Sequence, residues 1–243
     1  YIDIRDYSQI RDIIKAFNPD IIFHLAAQSL VGVAFDNPKY TLETNMIGTL
    51  NVLETMRSTR SECVAVFITS DKCYRNIEQI WGYRENDILG GNDPYSSSKA
   101  GAELIINSYI KSYPEEFGST IASTRAGNVI GGGDWSELRL VPDCFRTLME
   151  KRPIVLRNSK STRPWQYVLE PLSGYLLLGE KLLKGLGDYS TGWNFGPPLE
   201  ETHTVLKVAE AIIRYWGEGV IQINDEQNKF HESTLLKLDC TKA

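Results

Sequence analysis

Three short apolar runs, each separated from the next by a helix-period stretch, limit what this chain can fold into. They are Ile21-Ile22-Phe23, Val64-Ala-Val-Phe-Ile68 and Thr120-Ile-Ala-Ser-Thr124. A strand with little polar alternation is covered on both faces. Such strands belong in a parallel sheet with helices above and below. The intervening segments supply those helices. Ser8 is a plausible N-cap before Ile10, Ile13, Ile14 and Phe17 on one helical face. Pro38 opens a long helix carrying Leu42, Met46, Leu50, Leu53 and Met56. Tyr95 to about Tyr113 reads as a third helix, with Ala102, Ile105 and Ile106 as its apolar stripe. The alternation predicts an α/β fold with a doubly wound parallel sheet. Ligands of such sheets bind beyond the carboxyl ends of the strands, so the residues just after each strand are the ones to weigh.

The second half is less regular. Residues 141–151 and 170–184 read as helices, and Ile154-Val-Leu156 and Trp193-Asn-Phe195 as strands. Val205, Val208, Ala209, Ile212, Ile213 and Trp216 form an amphipathic helix. This half is predicted to be a smaller α/β substrate lobe that returns part of residues 165–200 to the main sheet.

Composition excludes several classes. With 26 Lys+Arg against 31 Asp+Glu the net charge is −5, which gives no electrostatic case for broad nucleic-acid binding. Cys63, Cys73, Cys144 and Cys240 form no C-x-x-C pair, so neither a zinc site nor a disulfide frame is expected. Reduced thiols fit a cytoplasmic protein. No apolar stretch is long enough to span a membrane, and no metal is expected.

The chemistry begins at Tyr95-Ser-Ser-Ser-Lys99. Positions i and i+4 share a helix face, so phenol and ammonium would project together. A neighbouring ammonium favours the phenolate and would lower its pKa from about 10, giving a general acid/base for a sugar hydroxyl. The plainer reading is a chance pair on a solvated face. Context favours the first reading, because candidate groups follow the strands. His24-Leu25-Ala26-Ala27 follows one strand, where small residues let a ligand approach the backbone or pack strand against helix. Ser70-Asp71-Lys72 follows the next, and Arg125-Ala-Gly-Asn128 the last. Asn45 lies inside a helical pattern that does not favour it. Ser70 is placed to cap the turn that follows it, and His24 reads as a structural strand-end residue.

In order and spacing, Asp3-Ile4, His24-Leu-Ala-Ala27, Thr44-Asn45 with Gly48-Thr49, Tyr95-x-x-x-Lys99 and Arg125-x-x-Asn128-Val129 resemble the extended short-chain dehydrogenase/reductases. Ser70-Asp-Lys-Cys-Tyr74, Trp81-Gly-Tyr-Arg-Glu85, residues 125–135 from Arg125 to Trp135, Arg163-Pro-Trp-Gln166 and Leu236-Lys-Leu-Asp239 narrow the likeness to nucleotide-sugar 4,6-dehydratases of the CDP-glucose branch. The resemblance runs from Asp3 to Ala243.

It implies a Rossmann-like NAD-binding domain over residues 1–130 and a substrate-binding lobe over 131–243. It also implies that the opening strand, Gly-rich turn and helix would precede Tyr1, and that family members continue past Ala243. Gly131-Gly132-Gly133 is no substitute, because it follows the last visible strand. NAD would be met by Asp3, Ile4, Leu25, Ala26, Ala27, Gln28, Asn45, Tyr95 and Lys99. Ser70, Asp71, Lys72, Tyr95 and Lys99 would be catalytic. Ser70, Asn128, Arg139, Arg163 and His231 would bind CDP-glucose or a related nucleotide-hexose.

The implied reaction oxidises C4, loses water across C5–C6 and returns the hydride to C6, regenerating NAD each turn. The product is a deoxysugar of the kind used in lipopolysaccharide O-antigen. Tyr95 serves the C4 hydroxyl. Asp71, with a pKa raised by burial, protonates the departing C6 hydroxyl, and Lys72 is the C5 base. A homodimer or homotetramer is implied. Ser29 and Gly32 stand where the pattern predicts Pro and Arg, which removes one substrate or cofactor contact. A 4-epimerase of the same fold would share Tyr95 and Lys99 but needs no elimination pair. A non-catalytic NAD-binding fragment is the other alternative.

Overall fold

The computed structural model describes residues 1–59, 62–224 and 234–243. Its first half contains α1 (Tyr7–Phe17), β1 (Ile21–His24), α2 (Val31–Asp36), α3 (Pro38–Leu42), α4 (Gly48–Thr59), β2 (Val64–Ile68), α5 (Pro94–Ser112), α6 (Pro114–Phe117) and β3 (Ile121–Ala126). After β3 come β4 (Val129–Ile130), α7 (Leu140–Met149), β5 (Ile154–Leu156), β6 (Thr162–Arg163), β7 (Gln166–Tyr167) and α8 (Leu169–Leu183). The chain continues through β8 (Gly192–Phe195), β9 (His203–Thr204), α9 (Val205–Trp216) and β10 (Ile221–Ile223).

The apolar runs make one parallel sheet in the order β1-β2-β3-β8. Strand β2 shows why its sequence lacks polar alternation. Ala65 and Phe67 pack on one face with Ile10, Leu53, Met56 and Ile106 from α1, α4 and α5. Val64 and Val66 pack on the other with Tyr175, Leu178 and Leu182 from α8. Both faces are therefore dry, and each large side chain so buried contributes about 2 kcal/mol. Helix α8 and strand β8 belong to this main layer, although the chain reaches them only after β4–β7. The smaller lobe has its own core, in which Cys144 and Leu148 of α7 and Ala209 of α9 cover Ile154 and Leu156 of β5.

Three local expectations change. Asp6, not Ser8, caps α1, accepting from the backbone N–H groups of Ser8 and Gln9 at 3.0 and 3.2 Å. A carboxylate accepts two such donors at once, and Ser8 instead donates its hydroxyl to Asp6. The apolar face of α1 is only partly used, since Ile10 is buried while Ile13 and Phe17 are exposed. The helix beginning at Pro38 is broken by a π-turn over Glu43–Ile47, which contains Asn45.

A buried ion pair joins the sheet to α5. Arg125 of β3 meets Glu103 of α5 at 2.7 Å, with both side chains almost inaccessible. Glu103 also accepts from the hydroxyls of Thr69 and Ser123. Arg125 donates in addition to the Tyr74 hydroxyl at 2.8 Å and the Glu85 carbonyl at 3.0 Å. Burial works against the guanidinium charge, but Glu103 outweighs it and holds Arg125 firmly protonated. Arg125→Met would leave the Glu103 carboxylate buried and unpaired, which is expected to cost about 3 to 5 kcal/mol of stability. Urea unfolding of the variant beside the parent checks this, and a loss under ~1 kcal/mol would contradict it.

Candidate functional site

Helix α5 starts at the carboxyl edge of the sheet. Asp93 caps it, accepting from the Ser96 backbone N–H at 2.9 Å and the Ser96 hydroxyl at 2.5 Å, and Pro94 takes the first turn. Tyr95 and Lys99 are consequently one turn apart, and both are buried.

The chain leaves β2 through Thr69 and turns sharply at Asp71–Cys73. Ser70 caps that turn, accepting from the Lys72 backbone N–H at 3.2 Å. The same hydroxyl donates to Asp71 Oδ1 at 2.9 Å, and Ser70 favours the ionised form of the Tyr95 phenol. Ser70 thus caps the turn that follows it, and both Ser70 and Asp71 act on the Tyr95 phenol. Asp71 is buried, and its Oδ2 has no hydrogen-bond partner. Lys72, next in sequence, is half-buried.

Desolvation dominates these groups. Burial pushes the Asp71 carboxyl up, against the opposing pull of Lys72, Ser70 and Arg163. Burial pushes Lys99 down to about 8, with Glu103 and Cys73 opposing it. Tyr95 goes the opposite way from the expectation that its lysine neighbour lowers it. Burial raises the phenol to about 12, and Ser70 and the Arg139 charge only partly offset that. The spacing of Tyr95 and Lys99 put them on one helix face, but did not reveal the loss of water around the phenol.

Asn45 holds the loop after β1. Its side-chain oxygen accepts from the Gln28 backbone N–H at 2.8 Å. Its amide nitrogen donates to the Gln28 carbonyl at 3.0 Å and to the Ser98 hydroxyl at 2.8 Å. The π-turn presents the residue this way, so Asn45 joins the strand-end loop to α5. Ser98 was missed as a partner, although it lies within the Tyr95–Lys99 turn. Gln28 is buried, Ala27 half-buried, and Leu25 and Ala26 exposed. Asp3 is paired with Arg5 at 2.6 Å, and Ile4 packs over Gly48.

Arg163 is buried, and its charge reaches Asp71. Arg139 lies farther out, bound to Asp134 at 3.1 Å and to the Ser29 hydroxyl at 3.0 Å. Asn128 is half-buried, with its carbonyl accepting from Gln166. His231 lies outside the described residues. Among the described residues, no group of three His, Cys, Asp or Glu side chains could hold a metal, and no helix is long and apolar enough to cross a membrane.

A parallel sheet wrapped by helices, with a buried Tyr–Lys pair at its carboxyl edge, defines a Rossmann-type α/β protein. The chain belongs to the GDP-mannose 4,6 dehydratase family, which it matches over residues 1–238. It is 46% identical over 246 residues to the CDP-glucose 4,6-dehydratase of Salmonella typhimurium, covering 99% of this chain and 68% of that protein. Two solved structures share the fold. The NAD complex of Thermus thermophilus UDP-glucose 4-epimerase has a TM-score of 0.83 at 24% identity, covering 99% of this chain and 76% of its own. A Streptomyces venezuelae dTDP-glucose 4,6-dehydratase solved with NAD has 0.82 at 22%, covering 99% and 70%.

His24 closes β1 edge-on to Phe67, with ring centroids 5.5 Å apart, and burial and Lys99 bring it down to about 4. The folded protein then binds the His24 proton only below about 4, whereas the unfolded chain binds it below ~6.5. Stability from this residue is complete above ~6.5 and is lost as pH falls towards 4, to the extent of about 3 kcal/mol. Thermal melts across that window should show a flatter acid limb for His24→Gln than for the parent. Identical limbs would assign the acid sensitivity elsewhere.

Proposed function

We propose that the protein is an NAD-dependent nucleotide-sugar 4,6-dehydratase acting on CDP-glucose. The observation that carries this reading is the buried cluster of Tyr95, Ser70 and Asp71, in which Ser70 donates to one oxygen of Asp71, the other has no hydrogen-bond partner, and Lys72 follows directly. An epimerase needs the phenol. It has no use for a second acid and base placed beside it. The likeness to the Salmonella enzyme supports CDP-glucose as the substrate.

The site fits a dinucleotide. Lys99 is a buried cation, and no hydrogen bond or ion pair to it is found among the described residues. Beside it, exposed Leu25 and Ala26 leave the strand-end backbone approachable. Lys99 would hold the nicotinamide ribose, and Leu25, Ala26, Ala27 and Gln28 would line the pyrophosphate side, with Asn45 fixing Gln28. Asp3 and Ile4 would meet the adenosine end. When bound, NAD supplies reversible hydride acceptance.

The remaining chemistry belongs to side chains. Tyr95 exchanges the proton of the hexose O4, and Ser70 orients the phenol and that hydroxyl together. Lys99 supplies the positive charge that a phenolate needs in a dry site. Asp71, whose carboxyl burial pushes up, would deliver a proton to the departing C6 hydroxyl. Lys72 takes the C5 proton. Arg163, beside Asp71, faces the sugar end, and Asn128 and His231 would serve the nucleotide end. We place the protein in the cytoplasm as a homodimer or homotetramer; among its described cysteines none forms a disulfide, which is consistent with that compartment.

Incubation with CDP-, dTDP-, UDP- and GDP-glucose tests the reading. CDP-glucose should give a 4-keto-6-deoxy product that absorbs in strong base, and formation of a 4-epimer instead would refute it. In Lys72→Ala, loss of water should slow by about 10²- to 10⁴-fold. Mass spectrometry should then find a keto sugar that retains its C6 oxygen. Dehydration at the parent rate would remove Lys72 from this role.

A further inference from the structure

Asp71 and Lys72 stand on one short turn, and the residues on either side of it are both drawn to the same buried ion pair. Before the turn, the Thr69 hydroxyl donates to Glu103 Oε1, and the Thr69 backbone N–H donates to the Thr124 carbonyl at 2.8 Å. After it, the Tyr74 hydroxyl accepts from Arg125 Nη1 at 2.8 Å and donates to Asn194 Oδ1 at 2.7 Å. Arg125 Nη2 in turn donates to Glu103 Oε2 at 2.7 Å. Within the turn, the Cys73 N–H donates to the Ser70 carbonyl at 3.1 Å and the Tyr74 N–H to the Asp71 carbonyl at 3.4 Å.

Tyr74 is placed to act on the turn and not on a ligand. It is 1% exposed, its ring stacks on Tyr83 with centroids 5.2 Å apart, and its hydroxyl proton is committed to Asn194. Asp71 depends on such support. Its Oδ1 accepts from Ser70, the adjacent residue, and its Oδ2 has no hydrogen-bond partner, so the backbone of the turn sets where the carboxyl points.

Resting on the proposed dehydratase reading, we infer that Thr69 and Tyr74 are positioning residues for the loss of water, clamping both ends of the turn onto the Glu103–Arg125 pair. In that step the C5 proton passes to Lys72, the C5–C6 double bond forms, and the C6–O bond breaks as Asp71 protonates the leaving oxygen. Two consecutive side chains must be aimed at adjacent carbons at once. Oxidation at C4 instead uses Tyr95 and Lys99 of α5. Without the Tyr74 hydroxyl, Glu103 keeps its bonds to Arg125 and Ser123, so α5 stays in place while the turn is freed. The clamp therefore serves the second half of the reaction and not the first.

The test compares Tyr74→Phe, Thr69→Val, Thr69→Ser and Tyr83→Phe in the full-length protein with CDP-glucose. Tyr74→Phe keeps the ring and deletes only the hydroxyl between Arg125 and Asn194. Tyr83→Phe deletes the hydroxyl that holds Asn76 and Ile77, farther along the same loop, and controls for simple loosening. In rapid-quench runs, nicotinamide reduction reports oxidation at C4, and mass spectrometry separates keto sugars that keep or have lost the C6 oxygen. In Tyr74→Phe and Thr69→Val, loss of water should slow by about 10- to 100-fold while oxidation stays within about threefold, because a displacement of about 1 Å carries a cost of that order. A keto sugar retaining its C6 oxygen should accumulate. Thr69→Ser, which keeps the hydroxyl, should dehydrate at the parent rate, and Tyr83→Phe should leave the ratio of the two rates unchanged. Equal slowing of both steps in Tyr74→Phe and Thr69→Val, or no slowing, would overturn the inference. So would the same split in Tyr83→Phe. Should Tyr74→Phe fail to fold, Thr69→Val beside Thr69→Ser decides alone. A parent that dehydrates no nucleotide-hexose would refute the dehydratase reading and the inference together, whereas an active parent with unsplit variants refutes only the inference.

Discussion

The site depends on one carboxylate, that of Glu103. It lies one turn beyond Lys99 on α5 and takes hydrogen bonds from Arg125 and Ser123 of β3 and from Thr69 at the end of β2. Through it, the helix carrying Tyr95 and Lys99 is fixed to β3 and to Thr69, the residue just before Ser70. A buried ion pair is a poor source of net stability. Its value here is geometric. Tyr95 on α5 and the Ser70–Asp71 pair in the turn after β2 must face one another, and Glu103 sets their relative position. Beneath it, Tyr74 lies under the Arg125 guanidinium and donates to Asn194 of β8 at 2.7 Å. The network therefore crosses from β8 through β3 to α5.

Dehydration then sets the electrostatics. Tyr95 and Asp71 are pushed up, and Lys99 and His24 down, with burial the largest cause in each case. Each group is moved towards its neutral form. Such a cluster is suited to trading protons, because a charge introduced by a substrate is weakly screened and acts strongly on its neighbours. Asp71 shows this most clearly. A nearby lysine and arginine favour its ionised form, and desolvation still wins.

Much of this was legible in the sequence because it is local or periodic. The apolar runs identified the parallel sheet, since strands covered on both faces need no polar alternation. The four-residue spacing of Tyr95 and Lys99 placed them on one face of α5. The positions of Ser70 and Asp71 followed from their place after a strand. What escaped depends on contacts between distant segments or on competition within a turn. Asp6 beat Ser8 to the cap because it accepts two donors. The π-turn that aims Asn45 at Gln28 leaves no periodic trace. The burial that reverses the shift at Tyr95 comes from packing that spacing alone does not reveal.

The central claim is that the phenol–lysine pair and the Ser70-Asp71-Lys72 turn act on a single hexose. The most direct measurement is conversion of CDP-glucose carrying deuterium at C4, with the product examined by NMR. If the two groups serve one substrate, the label leaves C4 and is found at C6 of a 4-keto sugar. Deuterium retained at C4 of an inverted sugar would mean that only the phenol–lysine pair acts, and would contradict the account.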